Sequence, residues 1–429
     1  MSDIHITREI LRAMAQGKMS PEVVVEIGLS HLFSLCGTCE DEFRAFQREI
    51  ANPPTWDTAL RVVPALLERH GPEEEKKRVE AEHDFQRLAG LPLARRLARI
   101  HRSNRRFRGT LLARRLLEES KANMTVDPDR ADEWAETAEM VLLRTPESPG
   151  LEDVRALAVT YRANVARLLG RPEQARAGFY RARSIIRAAS VADPLVYAEI
   201  DSCEAVLARE LRQFQQAEEL LNRSVGLYML MRAREKAAYP LLTLGLLHYD
   251  LGDPEKAITV TRMALGLARS TSDKRLTMSA SLNLATCLCE IGEHSEAAET
   301  LQNDNDLHES TEPYFRLRVA WIQGKIARGT GGLEQAERLF LEVREEFVIH
   351  RQAYDAAMVS LDLALVYLEQ GRTGELLRLA EEMHALFTAE EVHREALAAL
   401  LVFEEAARKE QLTAEAIRKL AALLKARSR

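Results

Sequence analysis

The stretch HLFSLCGTCEDEF, residues 31–43, brings together residue types that bind metal ions: His31, Cys36 and Cys39, in the pattern His-x4-Cys-x2-Cys. Residues 4–16 read as one helix. Ser20-Pro21 then reads as an N-cap and first turn, starting a second helix that ends near Phe33. A third starts near Cys36 and stops at Asn52-Pro53-Pro54. Cys36 and Cys39 then lie one turn apart on one face, at a helix N-terminus, which favours thiolate. A closed zinc site takes four nitrogen or sulfur ligands. His31 supplies the third, and His5, on the first helix, is the candidate fourth. The competing reading has the cysteines packed as small apolar groups, with His31 at a helix end for its charge. Cys287 and Cys289, two apart on a helix, face different ways and belong to core or groove wall.

This order of residues resembles the N-terminal zinc module of anti-sigma factors, an upstream His or Cys followed by His-x3-Cys-x2-Cys. The resemblance covers residues 1 to 50. It implies that His5, His31, Cys36 and Cys39 are zinc ligands and that a sigma factor is a partner. The chain has one extra residue between His31 and Cys36, which turns His31 by about 100° in continuous helix; a loop at Ser34-Leu35 would absorb it.

The elements behind this module repeat. LLTLGLLHYDLGDPEKAITVTRMALGLA, from Leu241, aligns with SASLNLATCLCEIGEHSEAAETLQ, from Ser279. Each has a small residue, a glycine seven positions on, and an alanine five after that: Gly245, Gly252, Ala257 and Ala285, Gly292, Ala297. The same spacing of small residues joins Ala163 to Ala175, Ala205 to Ala217 and Gly324 to Ala336. A weaker copy has Ala364 and Gly371, with Leu376 in place of the second alanine. First small residues recur every 39 to 42 positions. Ala131, Trp134, Ala135 and Ala138 read as the second helix of a degenerate earlier copy. Two helices meet where both side chains are small, the glycine ends the first in a left-handed conformation, and Pro172 and Pro254 start second helices. Such hairpins bury their apolar faces by stacking. These residues resemble the tetratricopeptide repeat over roughly 110–405, with a period longer than the usual 34.

The expected fold is therefore all-α: a right-handed superhelical solenoid of hairpins with a period near 40, behind a small helical N-terminal module. The expected divisions are 1–52 for the module, 53–110 for a helical linker, 111–405 for the repeats and 406–429 for a C-terminal cap. In the cap, Leu412, Ile417, Leu420 and Leu424 are spaced to pack on the last repeat. First helices line a concave groove in such arrays. Tyr161, Asn164, Arg167, Tyr239, Tyr249, Asn283, Arg318, Trp321, Lys325 and Arg328 are the candidate groove residues. Arg318, Trp321, Lys325 and Arg328 share one helical face, suited to an acidic or extended peptide; alternatively Trp321 is core and the cations solvate the surface.

The linker ends in a basic stretch. From Phe85 to Leu117 there are ten arginines and one histidine and no acid, and Arg95, Arg99, Arg102 and Arg106 fall on one stripe. The stripe meets phosphates or an acidic partner, or is a solvated face neutralised by the acids at 73–75. A net charge of −7 argues against bulk nucleic-acid binding. Five sparse cysteines suit a reducing cytoplasm, and MSDIHITREI has no features of a signal peptide. No apolar run is long enough to cross a membrane. The sequence has no G-x4-GK[ST], GxSxG or HExxH motif, and Gly329, Gly331 and Gly332 read as a connector between helices. The function expected is that of a non-enzymatic adaptor or regulator holding a protein or peptide, in its finer form a sigma-factor regulator. The alternatives are a nucleic-acid-binding regulator using Arg95 to Arg115, and a peptide-sensing subunit controlling a neighbouring protease or effector.

Overall fold

The computed structural model describes residues 72–389 except 104, 105, 190, 191 and 351, then residues 413–427, and at the N-terminus residues 9, 10, 13 and 19. His5, His31, Cys36 and Cys39 lie outside the described residues, as do Leu412 and the proposed junction near 405. All regular structure among the described residues is helical. The chain divides into two compact units, Met1–Pro240 and Leu241–Arg429.

The first unit contains α1 (Pro72–Ala89), α2 (Leu93–Arg102), α3 (Thr110–Asn123), α4 (Pro128–Leu143), α5 (Leu151–Leu168), α6 (Pro172–Ala188), α7 (Pro194–Glu210) and α8 (Phe214–Leu230). Helices α3/α4, α5/α6 and α7/α8 are hairpins, each first helix also packing on the next: α3 on α5, α5 on α7. Helices α1 and α2 join the α3–α5 core through Phe85, Leu88 and Ile100, around the fully buried Trp134. A 3-10 turn, Arg234–Ala237, leads into α9 (Ala238–Asp250).

The second unit continues with α10 (Pro254–Ala268), α11 (Lys274–Ile291), α12 (His294–Gln302), the short α13 (Asn305–Glu309), α14 (Pro313–Gly329), α15 (Leu333–Ile349), α16 (Ala353–Glu369) and α17 (Thr373–Ala389). Helices α11/α12, α14/α15 and α16/α17 pair, and α11, α14 and α16 pack in succession. The last described helix, α18 (Ala414–Arg427), lies on α16 and buries Ile417 and Leu420 in its core.

The small residues sit where the helices of a hairpin cross. A Cβ added to Gly245 would come within 2.2 Å of Thr261 Oγ1 on α10, and one on Gly324 within 2.5 Å of the Phe340 ring on α15. The partner lies sixteen positions after the first small residue and is buried in every copy: Phe179, Leu221, Thr261, Leu301, Phe340 and Ala380. The weak copy is now explained by volume. Leu376 replaces an alanine, and the residue four later shrinks to Ala380, so the crossing holds the same total bulk.

The first helices from α5 onward, α5, α7, α9, α11, α14 and α16, end in the same turn. An amide two or three residues past the helix donates back to a carbonyl five residues earlier: Arg171 to Ala166, Gln213 to Ala208, Asp253 to His248, Glu293 to Leu288, Gly332 to Ala327 and Arg372 to Tyr367. The residue before each of these amide donors has positive φ. It is glycine at 170, 252, 292, 331 and 371, but in the α7 copy it is Arg212, at φ 60°. A side chain there costs roughly 1 kcal/mol.

Two outcomes follow. Arg212→Gly should raise the urea midpoint by an amount equivalent to about 1 kcal/mol, against the usual destabilising trend of surface changes. Gly324→Ala should lower stability by about 1–3 kcal/mol through the Phe340 contact, and Phe340→Leu in the same chain should recover part of it.

Candidate functional site

In the first unit two first helices and one second helix converge on one carboxylate. Glu199, on α7, accepts from Lys121 Nζ of α3 at 2.6 Å and from the Tyr161 hydroxyl of α5 at 2.9 Å on one oxygen, and from the Tyr228 hydroxyl of α8 at 2.7 Å on the other. The bond from Lys121 skips a whole repeat, from α3 to α7 past α5. Side chains two repeats apart meet only where the surface is concave. Burial alone would raise the Glu199 carboxyl. The Lys121 ammonium and the three hydrogen bonds outweigh it and hold the group at about 2. The same surroundings push both phenols well above their usual range, burial first.

The neighbouring candidates are tied into the same face. Arg167 donates to Glu210 at 2.5 Å and, through Nε, to the Asn164 carbonyl at 2.8 Å; Asn164 in turn donates to Met124 Sδ. Tyr239 is 43 % exposed although the Arg167, Lys121, Glu199 and Cys203 side chains all act on its phenol, which burial among them raises. A side chain both surrounded and open to solvent lines a hollow. Burial pushes the Cys203 thiol to about 12, so it is an inert wall.

In the second unit Tyr249, Lys325 and Trp321 form a second network. Tyr249 donates to Glu290 at 3.0 Å; Lys325 lies 3.2 Å from Glu290 and 3.4 Å from Asp362; Trp321 Nε1 donates to Asp362 at 2.7 Å. Burial would lower the Lys325 ammonium, but Asp362 and Glu290 raise it. Trp321 is 7 % exposed and stacks edge-on against Phe347, so its ring is core and its indole N–H is a tie between α14 and α16. Arg328 donates to Glu369 at 3.2 Å. Arg318 lies over the Trp321 ring, and Asn283 is half-buried on α11 with no hydrogen-bond partner among the described residues. Cys287 is buried; Cys289 is half-buried beside Lys325.

The basic stretch divides into two sides. Arg95, Arg99, Arg102 and Arg106 are exposed. Arg99 donates to the Arg87 carbonyl and Arg106 pairs with Asp84. Arg96 and Arg115 instead turn onto aromatic rings. Arg96 is buried over the Trp134 ring, 3.8 Å from its centroid, donating to the Leu91 carbonyl and to Glu133. Arg115 covers Phe85 at 3.8 Å and pairs with Glu82 and Glu119. Among the described residues no group of His, Cys, Asp or Glu side chains is arranged to hold a metal, and no helix is long and apolar enough to cross a membrane.

Sequence reasoning missed the acids. Glu199, Glu210, Glu290, Asp362 and Glu369 each take a hydrogen bond from a first-helix side chain 38 to 43 residues earlier, one period away. It also missed Asp201, which is 0 % exposed and gripped by Arg183 of α6 at 2.6 Å and by both donors of Arg223 of α8 at 2.5 and 2.6 Å. The signal was present: a cation, Tyr or Trp on one first helix with an acid one repeat on.

The Glu199 cluster sets a pH window. A carboxyl held near 2 against an ordinary 4.5 adds stability that is complete above pH 4.5 and is lost as pH falls towards 2. Glu199→Gln should cost about 1–3 kcal/mol at neutral pH. In urea unfolding the gap between wild type and variant should stay constant from pH 8 to about 5, then shrink steadily as pH falls from about 4.5 towards 2; a gap unchanged between pH 5 and pH 2 would show that the partners do not hold the carboxylate ionised.

Comparison with known proteins agrees with this architecture. A family model described as anaphase-promoting complex subunit 5 matches residues 204–278 and 271–307, the stretch from within α7 to beyond α13's first residues. No curated protein matches the sequence. Among solved structures, a Rap protein complexed with Competence and Sporulation Factor is 13 % identical, with 74 % of this chain and 88 % of that chain covered and a TM-score of 0.58. The apo form of RapI is 13 % identical over 72 % of this chain and 85 % of that chain, with a TM-score of 0.52. A STAND protein with a tetratricopeptide repeat sensor from Pyrococcus horikoshii is 15 % identical over 99 % of this chain and 66 % of that chain, with a TM-score of 0.50. The chain thus has a tetratricopeptide-like helical-repeat fold.

Proposed function

We propose that this is a non-enzymatic binding protein that holds a protein or peptide partner along the first-helix faces of its repeats. The observation that carries the reading is the Lys121–Glu199 bond, which bridges two repeats and makes the face hollow, with Tyr239 accessible inside it. A hollow lined by amphipathic rings and fixed charges suits an extended chain, whose backbone and side chains both need partners. The similar fold of a Rap protein solved with a bound factor supports the reading by analogy.

A photo-crosslinking amino acid tests it. Placed at Tyr239 or Asn283 in the full chain, in cells of the native host, it should give a discrete adduct identifiable by mass spectrometry. The same probe at Tyr180, 73 % exposed on the second helix α6, should give none. Adducts only at Tyr180, or at no position, would overturn the reading. In the finer version, resting on the N-terminal resemblance, the adduct is a sigma factor and His5, His31, Cys36 and Cys39 hold zinc. Protein purified without nickel or chelator should then carry about one zinc per chain, lost in the Cys36→Ser/Cys39→Ser variant.

A further inference from the structure

In the second unit the polar stripe of α14 is neutralised residue by residue, with one exception. Lys325 is shared by Glu290 and Asp362, Arg328 is paired with Glu369, and the Trp321 N–H is taken by Asp362. Arg318 has no acceptor within hydrogen-bond reach among the described residues. Its Nε is buried without a partner, in a side chain that is half-buried as a whole. The guanidinium carbon lies 5.2 Å from the centroid of the Trp321 ring, and the charge also acts on the Tyr249 phenol. Trp321 is itself fixed by Phe347 and Asp362. The cation therefore rests on a rigid aromatic platform, which orients its plane before anything binds.

The register of the repeats puts Arg318 on the binding face. It stands six positions before its first small residue, Gly324; Glu199 and Tyr239 stand six before Ala205 and Gly245. Those two are the residues that line the hollow of the first unit. The equivalent position in the second unit thus carries an oriented donor fork lacking an acceptor.

We propose that Arg318 is a specificity residue of the second unit's binding face, taking a carboxylate of an extended peptide laid across α11, α14 and α16. The proposal rests on the binding function argued above and names the chemistry its ligand must carry. A guanidinium fork matches the two oxygens of a carboxylate. The charge count selects carboxylate over phosphate. Lys325 is already divided between two acids, so among the described residues the face offers one unspent positive charge, a match for a monoanion and too little for a dianion.

The test uses full-length protein on an array of random hexapeptides, each hit resynthesised with Asp→Asn, Glu→Gln or a C-terminal amide. For wild type, one of these changes should weaken binding at least about tenfold, and which change does so tells a side-chain carboxylate from the C-terminal one. Arg318→Gln should bind acid and amide forms equally while keeping its helical circular dichroism and melting midpoint. Arg318→Lys, which keeps the charge and loses the fork, should retain part of the preference. An unchanged acid preference in Arg318→Gln, or none in wild type, would overturn the proposal, as would tighter binding of phosphotyrosine-containing versions of the hits. If wild type bound no peptide at all, the binding function itself would fall, and this assignment with it.

Discussion

The close crossing of two helices at a pair of small residues is the constraint from which the remaining features follow. At Gly245 and Gly324 the backbone of one helix lies against side chains of its partner with no room for a single carbon. That distance fixes the hairpin angle, and the hairpin angle fixes which residues of each first helix face the next one. Because the crossing recurs about every 40 residues, the facing residues recur with it, and a polar pair made once can be made again one repeat on.

The ties between repeats use that recurrence. Tyr161–Glu199, Arg167–Glu210, Tyr249–Glu290, Trp321–Asp362 and Arg328–Glu369 all run from one first helix to the next. Most are enclosed, so water competes with them less than with a surface ion pair. They give a repeat array, whose stability is otherwise a sum of similar neighbour contacts, a definite order of neighbours. Among the described residues the same groups leave few donors on the first-helix faces of either unit without an acceptor.

Much of the fold was legible because size is written in the residue alphabet. Ala163, Ala205, Gly245, Ala285, Gly324 and Ala364 announce the crossings, and glycines seven positions later announce the turns. The departures were legible only through the structure: Arg212 takes the left-handed turn without a glycine, and Ala380 gives back the volume that Leu376 takes. The candidate face was legible as a set of residues and not as a set of roles. Arg318, Trp321, Lys325 and Arg328 share a helical stripe, yet Trp321 is core, two cations are paired and one is not, because the acids that decide this lie on neighbouring helices. Likewise Arg96 and Arg115 look like part of a cationic surface in the sequence, while Trp134 and Phe85 draw them inward.

Asp201 bears on how such a protein can evolve. Its carboxylate has no exposure and is held from both sides, by the second helix of the preceding hairpin and by that of its own. Repeat proteins commonly lengthen or shorten by duplicating or deleting whole hairpins, since each unit meets only neighbours like itself. Here a cut between α6 and α7 would strand a buried negative charge with half its counterions, and an inserted hairpin would need an arginine at the place of Arg183. The junction is a point at which the array resists recombination. Gain and loss of repeats in descendants of this sequence should therefore fall on other junctions, leaving the α6–α8 segment inherited as one piece.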